Sequence, residues 1–232
     1  MPHTIDYTIE RHINQKLKEI NDQERSTHVS SGKLTASMLG QPLQWQILKV
    51  KGVPTKEVDG YTLRKFKRGK DVEKWLVENL PGLKETQKWV EYRGCVGMVD
   101  AIIELSSGVI PLEIKSVTNM KYKNIMADGE ADHGHILQAC LYALALKNEH
   151  FAIVYVASDD YRIHTMVYDT KDYAQEVGDV IARFDKQLAT GVIPAFVPVG
   201  EWQKNAKYSD YPAWAMLTEE EVNKKYKEEY EK

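Results

Sequence analysis

The chain has 232 residues, of which 43% are hydrophobic, with a formal net charge of -3 and two cysteines. That length suits one compact domain with a real core, and no run is long and apolar enough to span a bilayer. Two cysteines exclude a disulfide-stapled fold, and a slightly acidic balance excludes a globally basic nucleic-acid binder while leaving room for a local basic surface.

Residues 1 to 60 predict an N-terminal helical region. Its opening, Met-Pro-His-Thr-Ile-Asp, lacks the basic and apolar parts of a signal peptide, so a cytoplasmic protein is expected. Ile5, Ile9, Ile13, Leu17 and Ile20 recur at helical spacing with both signs of charge between them, which predicts an amphipathic packing helix. Ser30-Ser31-Gly32 breaks it. A second helical stretch starts near Thr35 with Met38 and Leu39, and resumes through Trp45, Ile47 and Leu48 after Pro42.

Residues 68 to 80 predict a helix stopped by Pro81-Gly82. On its wheel Glu73 falls inside the apolar arc of Trp75, Val72, Leu76, Leu80 and Val77, whereas Asp71, Lys74 and Glu78 lie outside it. A carboxylate on a buried face needs a partner. A core salt bridge with Arg93 or Lys115 is one option. The basic segment around the helix start, Arg64, Lys65, Lys67 and Arg68, is suited to phosphates, and a second basic stretch runs from Lys115 to Lys123.

Residues 84 to 93, with Trp89 and Tyr92, predict a first strand. Residues 94 to 116 then carry two apolar, β-branched runs around Ser106-Ser107-Gly108, a hairpin pattern. Asp100 sits in the first run, and Glu113 and Lys115 share one face of the second, with Ile114 on the other. One hairpin register sets Asp100 opposite Lys115, another opposite Glu113, and both gather the three groups on one face. Pro111 removes a ladder donor, which suggests an edge strand or a bulge. Two carboxylates on a half-buried face are costly unless compensated. A hard divalent cation, Mg²⁺ or Mn²⁺, held by Asp100 and Glu113 would remove that cost; a surface ion pair is the bland alternative.

Residues 117 to 133 are polar and read as a long loop beside these groups. It ends in His133, and with His135 it offers either metal ligands or ordinary exposed histidines. Residues 134 to 147 predict a helix that buries Leu137, Cys140, Leu141 and Leu144 and carries His135, Gln138 and Tyr142 in one stripe beside them. That stripe could touch a DNA strand over the sheet or simply be a polar flank. Phe151 to Ala157 is a buried strand pattern, Asp159-Asp160 a turn, and Arg162 to Tyr168 a further strand. A long helix follows from Asp169 or Thr170 to about Leu188, then an extended segment from 191 to 198. Thr218-Glu219-Glu220-Glu221 opens a last helix with a capping-box pattern.

The order G-x-x-D (Gly97, Asp100), E-x-K (Glu113, Lys115) and Q-x-x-x-Y (Gln138, Tyr142) resembles the PD-(D/E)XK nuclease superfamily, in its RecB-like and phage-exonuclease branch. Arg68-Gly69-Lys-Asp-Val-Glu73 is similar to the helix preceding the sheet in those nucleases. The resemblance covers about residues 60 to 200. It implies an α/β (α+β) fold with a restriction-endonuclease-like core at 61–200, a mixed central sheet flanked by helices, and a tail at 201–232, all in one domain. It also implies a Mg²⁺- or Mn²⁺-dependent DNA nuclease, foremost an exonuclease of recombination, replication or repair, with 5′-phosphate products. Asp100, Glu113, Glu73 and the Ile114 carbonyl would hold the metal and Lys115 would serve the nucleophilic water. Gln138 and Tyr142 would position the scissile strand and His135 would contact a phosphate. DNA is the expected partner, with a homo-oligomer or a recombination or replication protein besides, and no membrane. A non-catalytic DNA-binding or assembly protein, or a structure-specific endonuclease, are the alternatives on the same fold. Many relatives carry an iron-sulfur cluster. The tail from Trp202 to Trp214 resembles that cluster segment with its cysteines gone and Ser209 where one would be, so no cluster is expected, and Trp202, Tyr208, Tyr211 and Trp214 would hold the tail by packing.

Overall fold

The computed structural model describes residues 3–27, 32–106, 108–200 and 209–231; Ser30, Ser31, Ser107, Trp202, Tyr208 and the Ile5 side chain lie outside the described parts. Among the described residues no helix is long and apolar enough to cross a membrane. The centre is a five-stranded sheet in the order β1 (Leu83–Tyr92), β2 (Cys95–Leu105), β3 (Gly108–Val117), β4 (His150–Ala157), β5 (Ile163–Asp169). β3 and β4 run parallel and the other neighbours antiparallel, so the sheet is mixed. The parallel pair is joined by α4 (Asn119–Asp128) and α5 (His133–Leu146), because a parallel connection needs a long crossover.

One face of the sheet is covered by α5, with α6 (Thr170–Ala189) behind it. The core there joins Val90, Cys95, Val99, Leu137, Leu141, Tyr142, Ile153, Tyr155 and Ile181. The other face is covered by α3 (Gly60–Glu78), through Val72 and Leu76 against Ala101, Ile103, Leu112, Ile114 and Val154. α3 starts well before residue 68, because Asp59 caps it by accepting from the Thr62 amide at 2.7 Å. The basic segment is therefore helical throughout.

Several expectations need correction. Residues 119–128 form a helix rather than part of a loop; Thr118 caps its start and Gly129, in the left-handed region at φ 70°, ends it. β3 is a central strand, not an edge, and its pairing with β2 has no register shift at Pro111. Val109, of the same parity as Pro111, turns its carbonyl away from β2 to accept from Asn148 at 3.1 Å. Pro111 thus turns its donor-less nitrogen to the side where pairing with β4 begins only at Leu112↔Ala152. α1 (His3–Thr27) lies along α3 through Asn14, Glu10 and Glu24, which meet Arg64 and Lys70, so Ile9, Ile13 and Ile20 face outward at 55%, 45% and 45% exposure. The polar side of this helix, not its isoleucine stripe, does the packing. The short 3-10 turn Ala36–Met38 and α2 (Leu43–Val50) take the places of the second helical stretch. In the tail, α7 (Pro212–Ala215) follows a buried Ser209 whose hydroxyl accepts from the Tyr211 amide at 2.8 Å, and Tyr211 and Trp214 are both buried. α8 (Glu219–Tyr230) carries the expected capping box.

Candidate active site

β2 and β3 pair from Leu105↔Gly108 to Ala101↔Leu112, and there the ladder stops. Continued by one residue, that register sets Asp100 opposite Glu113, which is the second of the two expected arrangements. The Asp100 side chain itself takes the next ladder donor: Oδ2 accepts from the Ile114 amide at 2.7 Å. An extended residue points its N–H and C=O to the same edge of its strand, so the Ile114 carbonyl shares that edge with Asp100. β2 also turns over here, since Val99 packs in the layer under α5 while Ala101, of the same parity, packs under α3. Asp100 therefore stands where two strands diverge and between two helices, one on each face.

Glu113 and Lys115 point from β3 to the α5 face. Glu113 is only 2% exposed, and its Oε1 meets Lys115 Nζ at 2.5 Å. Its other oxygen, Oε2, is buried with no close hydrogen bond, and the Tyr142 hydroxyl faces the same carboxylate. Lys115 also donates to Gln138 Oε1 at 3.3 Å, and Gln138 Nε2 donates to the Tyr142 hydroxyl at 2.8 Å. Gln138 and Tyr142, one helical turn apart on α5, thus join Lys115 and Glu113 in one network. Gly97 makes the room: a Cβ there would lie 2.6 Å from Tyr142 Cε1 and 2.9 Å from the Ala36 Cβ. The glycine of G-x-x-D serves the tyrosine of Q-x-x-x-Y.

From the α3 face comes Glu73, partly buried, whose Oε1 accepts from Gln87 Nε2 at 2.7 Å. Gln87 has a left-handed backbone, φ 52°, in β1 across from Asp100. Neither Arg93 nor Lys115 forms a salt bridge with Glu73 among the described contacts, so the core-salt-bridge option gives way to a glutamine partner. Glu73, Gln87, Asp100, Lys70 and Thr86 line a groove of about 410 Å³.

The electrostatics follow from burial and crowding. Burial first, then the charges of Glu113 and Glu73, push the Asp100 carboxyl up to about 8 against the Ile114 amide and Lys115. Burial also raises Glu113, countered by Lys115 and the Tyr142 hydroxyl. Glu73 is raised by burial and lowered again by Lys115 and Gln87. The Tyr142 hydroxyl is pushed far up by burial and by Glu113, so it stays protonated. Burial and then Lys115 hold the His135 imidazole down at about 4, against Asp132. His133 lies apart, bonded to Glu176 at 2.7 Å.

Among the described residues no three of His, Cys, Asp and Glu form a ready-made metal cage. The donor chemistry nonetheless fits a hard cation. Glu113 on β3 and Glu73 on α3 raise the proton affinity of Asp100 on β2, and Glu73 raises that of Glu113. Of the basic segment, Arg64 is tied to Asn14 and Glu10, Lys67 pairs with Asp71, Lys65 stacks over Tyr61, and Arg68 buries its Nε without a partner. Cys95 and Cys140 are buried in strand and helix, their thiols pushed up to about 12 by burial. Two residues of this network escape sequence reasoning: Gln87, hidden by the irregular β1 backbone, and Tyr155, one aromatic in an apolar run.

Fold and site together define an α/β protein whose mixed sheet carries a carboxylate–lysine cluster between two helices. Among solved structures, that of SSO0001 superposes with a TM-score of 0.51 at 19% identity, covering 91% of this chain and 98% of that one, and this likeness shows the fold. The alkaline exonuclease LHK-Exo of Laribacter hongkongensis follows at 0.49 and 15%, over 77% of this chain and 95% of that one, and a phage-related exonuclease of Haemophilus somnus 129PT at 0.45 and 14%, over 73% and 99%. No protein-family model matches the sequence, and no curated protein is similar to it.

Proposed function

We propose that the protein is a divalent-metal-dependent DNA nuclease, acting from DNA ends. The observation that carries this reading is the buried Glu113, ion-paired to Lys115 and crowded against Asp100 and Glu73, at the point where β2 and β3 part. Carboxylates buried this close together call for a cation. Asp100, Glu113, Glu73 and the Ile114 carbonyl would hold Mg²⁺ or Mn²⁺, an all-oxygen set that suits these ions. The ion, when bound, would polarise the phosphoryl group and lower the pKa of water beside it.

The rest of the work belongs to the chain. Lys115, fixed between Glu113 and Gln138, holds its ammonium where it can hydrogen-bond an attacking water and balance charge on a phosphate oxygen. Gln138 is anchored on Tyr142, and both orient the scissile strand. In-line attack forms a bond from water oxygen to phosphorus and breaks the bond to O3′, leaving a 5′-phosphate and a 3′-hydroxyl that takes up a proton. His135, Lys65, Lys67 and Arg68 contact further phosphates. Arg64 does so only by giving up its bonds to α1.

The test is cleavage of end-labelled linear DNA and of closed circular DNA with Mg²⁺ or Mn²⁺, by wild type, Asp100→Asn and Lys115→Ala. Linear DNA should be degraded progressively from its ends and circular DNA spared. Both variants should fold and lose activity by orders of magnitude, each tenfold being about 1.4 kcal/mol. Activity within a few-fold of wild type in either variant removes the assignment.

A further inference from the structure

We propose that Tyr155 is a positioning residue that locks His135 as a neutral imidazole with its proton on Nε2, presenting one uncharged hydrogen-bond donor to a phosphate oxygen of the substrate. The inference rests on the nuclease reading for what the donor meets, and on hydrogen-bond accounting for the lock itself.

Tyr155 lies on β4, directly beside Lys115 of β3 in the parallel ladder, so both side chains rise on the α5 face. Its ring is fully buried. Two groups reach its hydroxyl: the Asp132 amide at 3.1 Å and His135 Nδ1 at 2.9 Å. The amide can only donate, so the hydroxyl oxygen accepts there. The hydroxyl then has one proton to place, and His135 Nδ1 is the acceptor on hand. A proton on Nδ1 instead would leave the Tyr155 hydroxyl hydrogen buried without an acceptor, which a buried polar group avoids. Nδ1 is therefore the lone-pair nitrogen, and Nε2 carries the hydrogen.

The ring's surroundings keep it in that state. Burial and the Lys115 ammonium both disfavour a charged imidazole. Asp132 and Lys121 also face it, from the start of α5 and from α4, and act in opposite senses. His135 precedes Gln138 by one helical turn on the same stripe, and Gln138 meets Lys115. The Nε2–H is thus carried by the stripe that borders the carboxylate cluster. It adds a donor and no charge, and it cannot serve as a base, since one nitrogen is occupied by Tyr155 and the other bears the proton.

The test is long-range ¹H–¹⁵N correlation spectroscopy of the full chain labelled at histidine nitrogens, near pH 7, with His135 assigned by loss of its signals in His135→Ala. Wild type should show a bare, hydrogen-bonded Nδ1 and a protonated Nε2, and inorganic phosphate should shift the Nε2 proton. In Tyr155→Phe the two tautomers should average. With single-stranded oligonucleotide and Mg²⁺, Tyr155→Phe should lower kcat/KM about fivefold, the scale of one neutral hydrogen bond, and adding it to His135→Ala should cost nothing more. A protonated Nδ1 in wild type, unchanged tautomer signals in Tyr155→Phe, or additive losses in the double variant would overturn the proposal. An inactive wild type with the locked tautomer would instead remove the nuclease reading and the phosphate contact while leaving the lock in place. The wild-type spectrum decides the lock even if Tyr155→Phe folds poorly.

Discussion

Asp100→Asn should make the metal-free protein more stable at alkaline pH, although it removes a residue the site depends on. In the folded chain the Asp100 carboxyl is raised from 3.8 to about 8 by burial and by Glu113 and Glu73. A raised acid favours folding in its protonated form, so its contribution is fully present below the unfolded value and is lost as pH rises from about 4 through 8. At 1.36 kcal/mol per unit the ceiling is roughly 6 kcal/mol. Asp100 is only partly buried and its neighbours readjust, so about 1–3 kcal/mol is expected to survive. Asparagine keeps an acceptor for the Ile114 amide and cannot ionise. In EDTA at pH 8.5 the variant should melt roughly 2–12 °C above wild type, at the 2–4 °C per kcal/mol usual for this size, and near pH 4 the two should coincide. Adding Mg²⁺ at a hundredfold excess over Kd should raise wild type by about 2.7 kcal/mol and leave the variant nearly unmoved, reversing the order. Thermal melts followed by circular dichroism read all three conditions. A variant less stable than wild type in EDTA at pH 8.5, or a wild type indifferent to Mg²⁺, would refute the reasoning.

Glu73→Ala should cripple cleavage or demand much higher Mg²⁺, while Glu78→Ala, whose exposed side chain pairs with Lys74 at 3.9 Å, should behave as wild type. If the two respond alike across a Mg²⁺ titration, Glu73 only packs. Gly97→Ala should cost about 1–3 kcal/mol by overpacking against Tyr142 and Ala36, read as a lower urea midpoint; an unchanged midpoint would mean that the tyrosine has slack. DNA affinity should fall with salt despite the net charge of -3, and Lys65→Ala should flatten the log–log slope by about one. Arg64→Ala should change it less, because Arg64 is held by Asn14 and Glu10; a salt-independent affinity would count against phosphate contacts.

Much of this site was legible in the chain because its parts lie on regular elements with their own periods. Alternation along β3 put Glu113 and Lys115 on one face, the helical repeat put His135, Gln138 and Tyr142 in one stripe, and the α3 wheel set Glu73 on the inward side. Residues 119–128 are mostly polar and carry little apolar periodicity, so their helix shows only in the pairing of Thr118 and Gly129 at its ends. The spacing of the α1 isoleucines marks an apolar stripe but not which side the neighbouring helix takes. Tertiary structure alone decided the hairpin register, since both candidate turns satisfied the same alternation. It also decided the match of Gly97 to Tyr142, the hold of Gln87 on Glu73, and the placing of Tyr155 beside Lys115. Local sequence sets the period and face of each element; which elements meet, and at what register, depends on contacts between residues far apart in the chain, and those are settled only when the core packs.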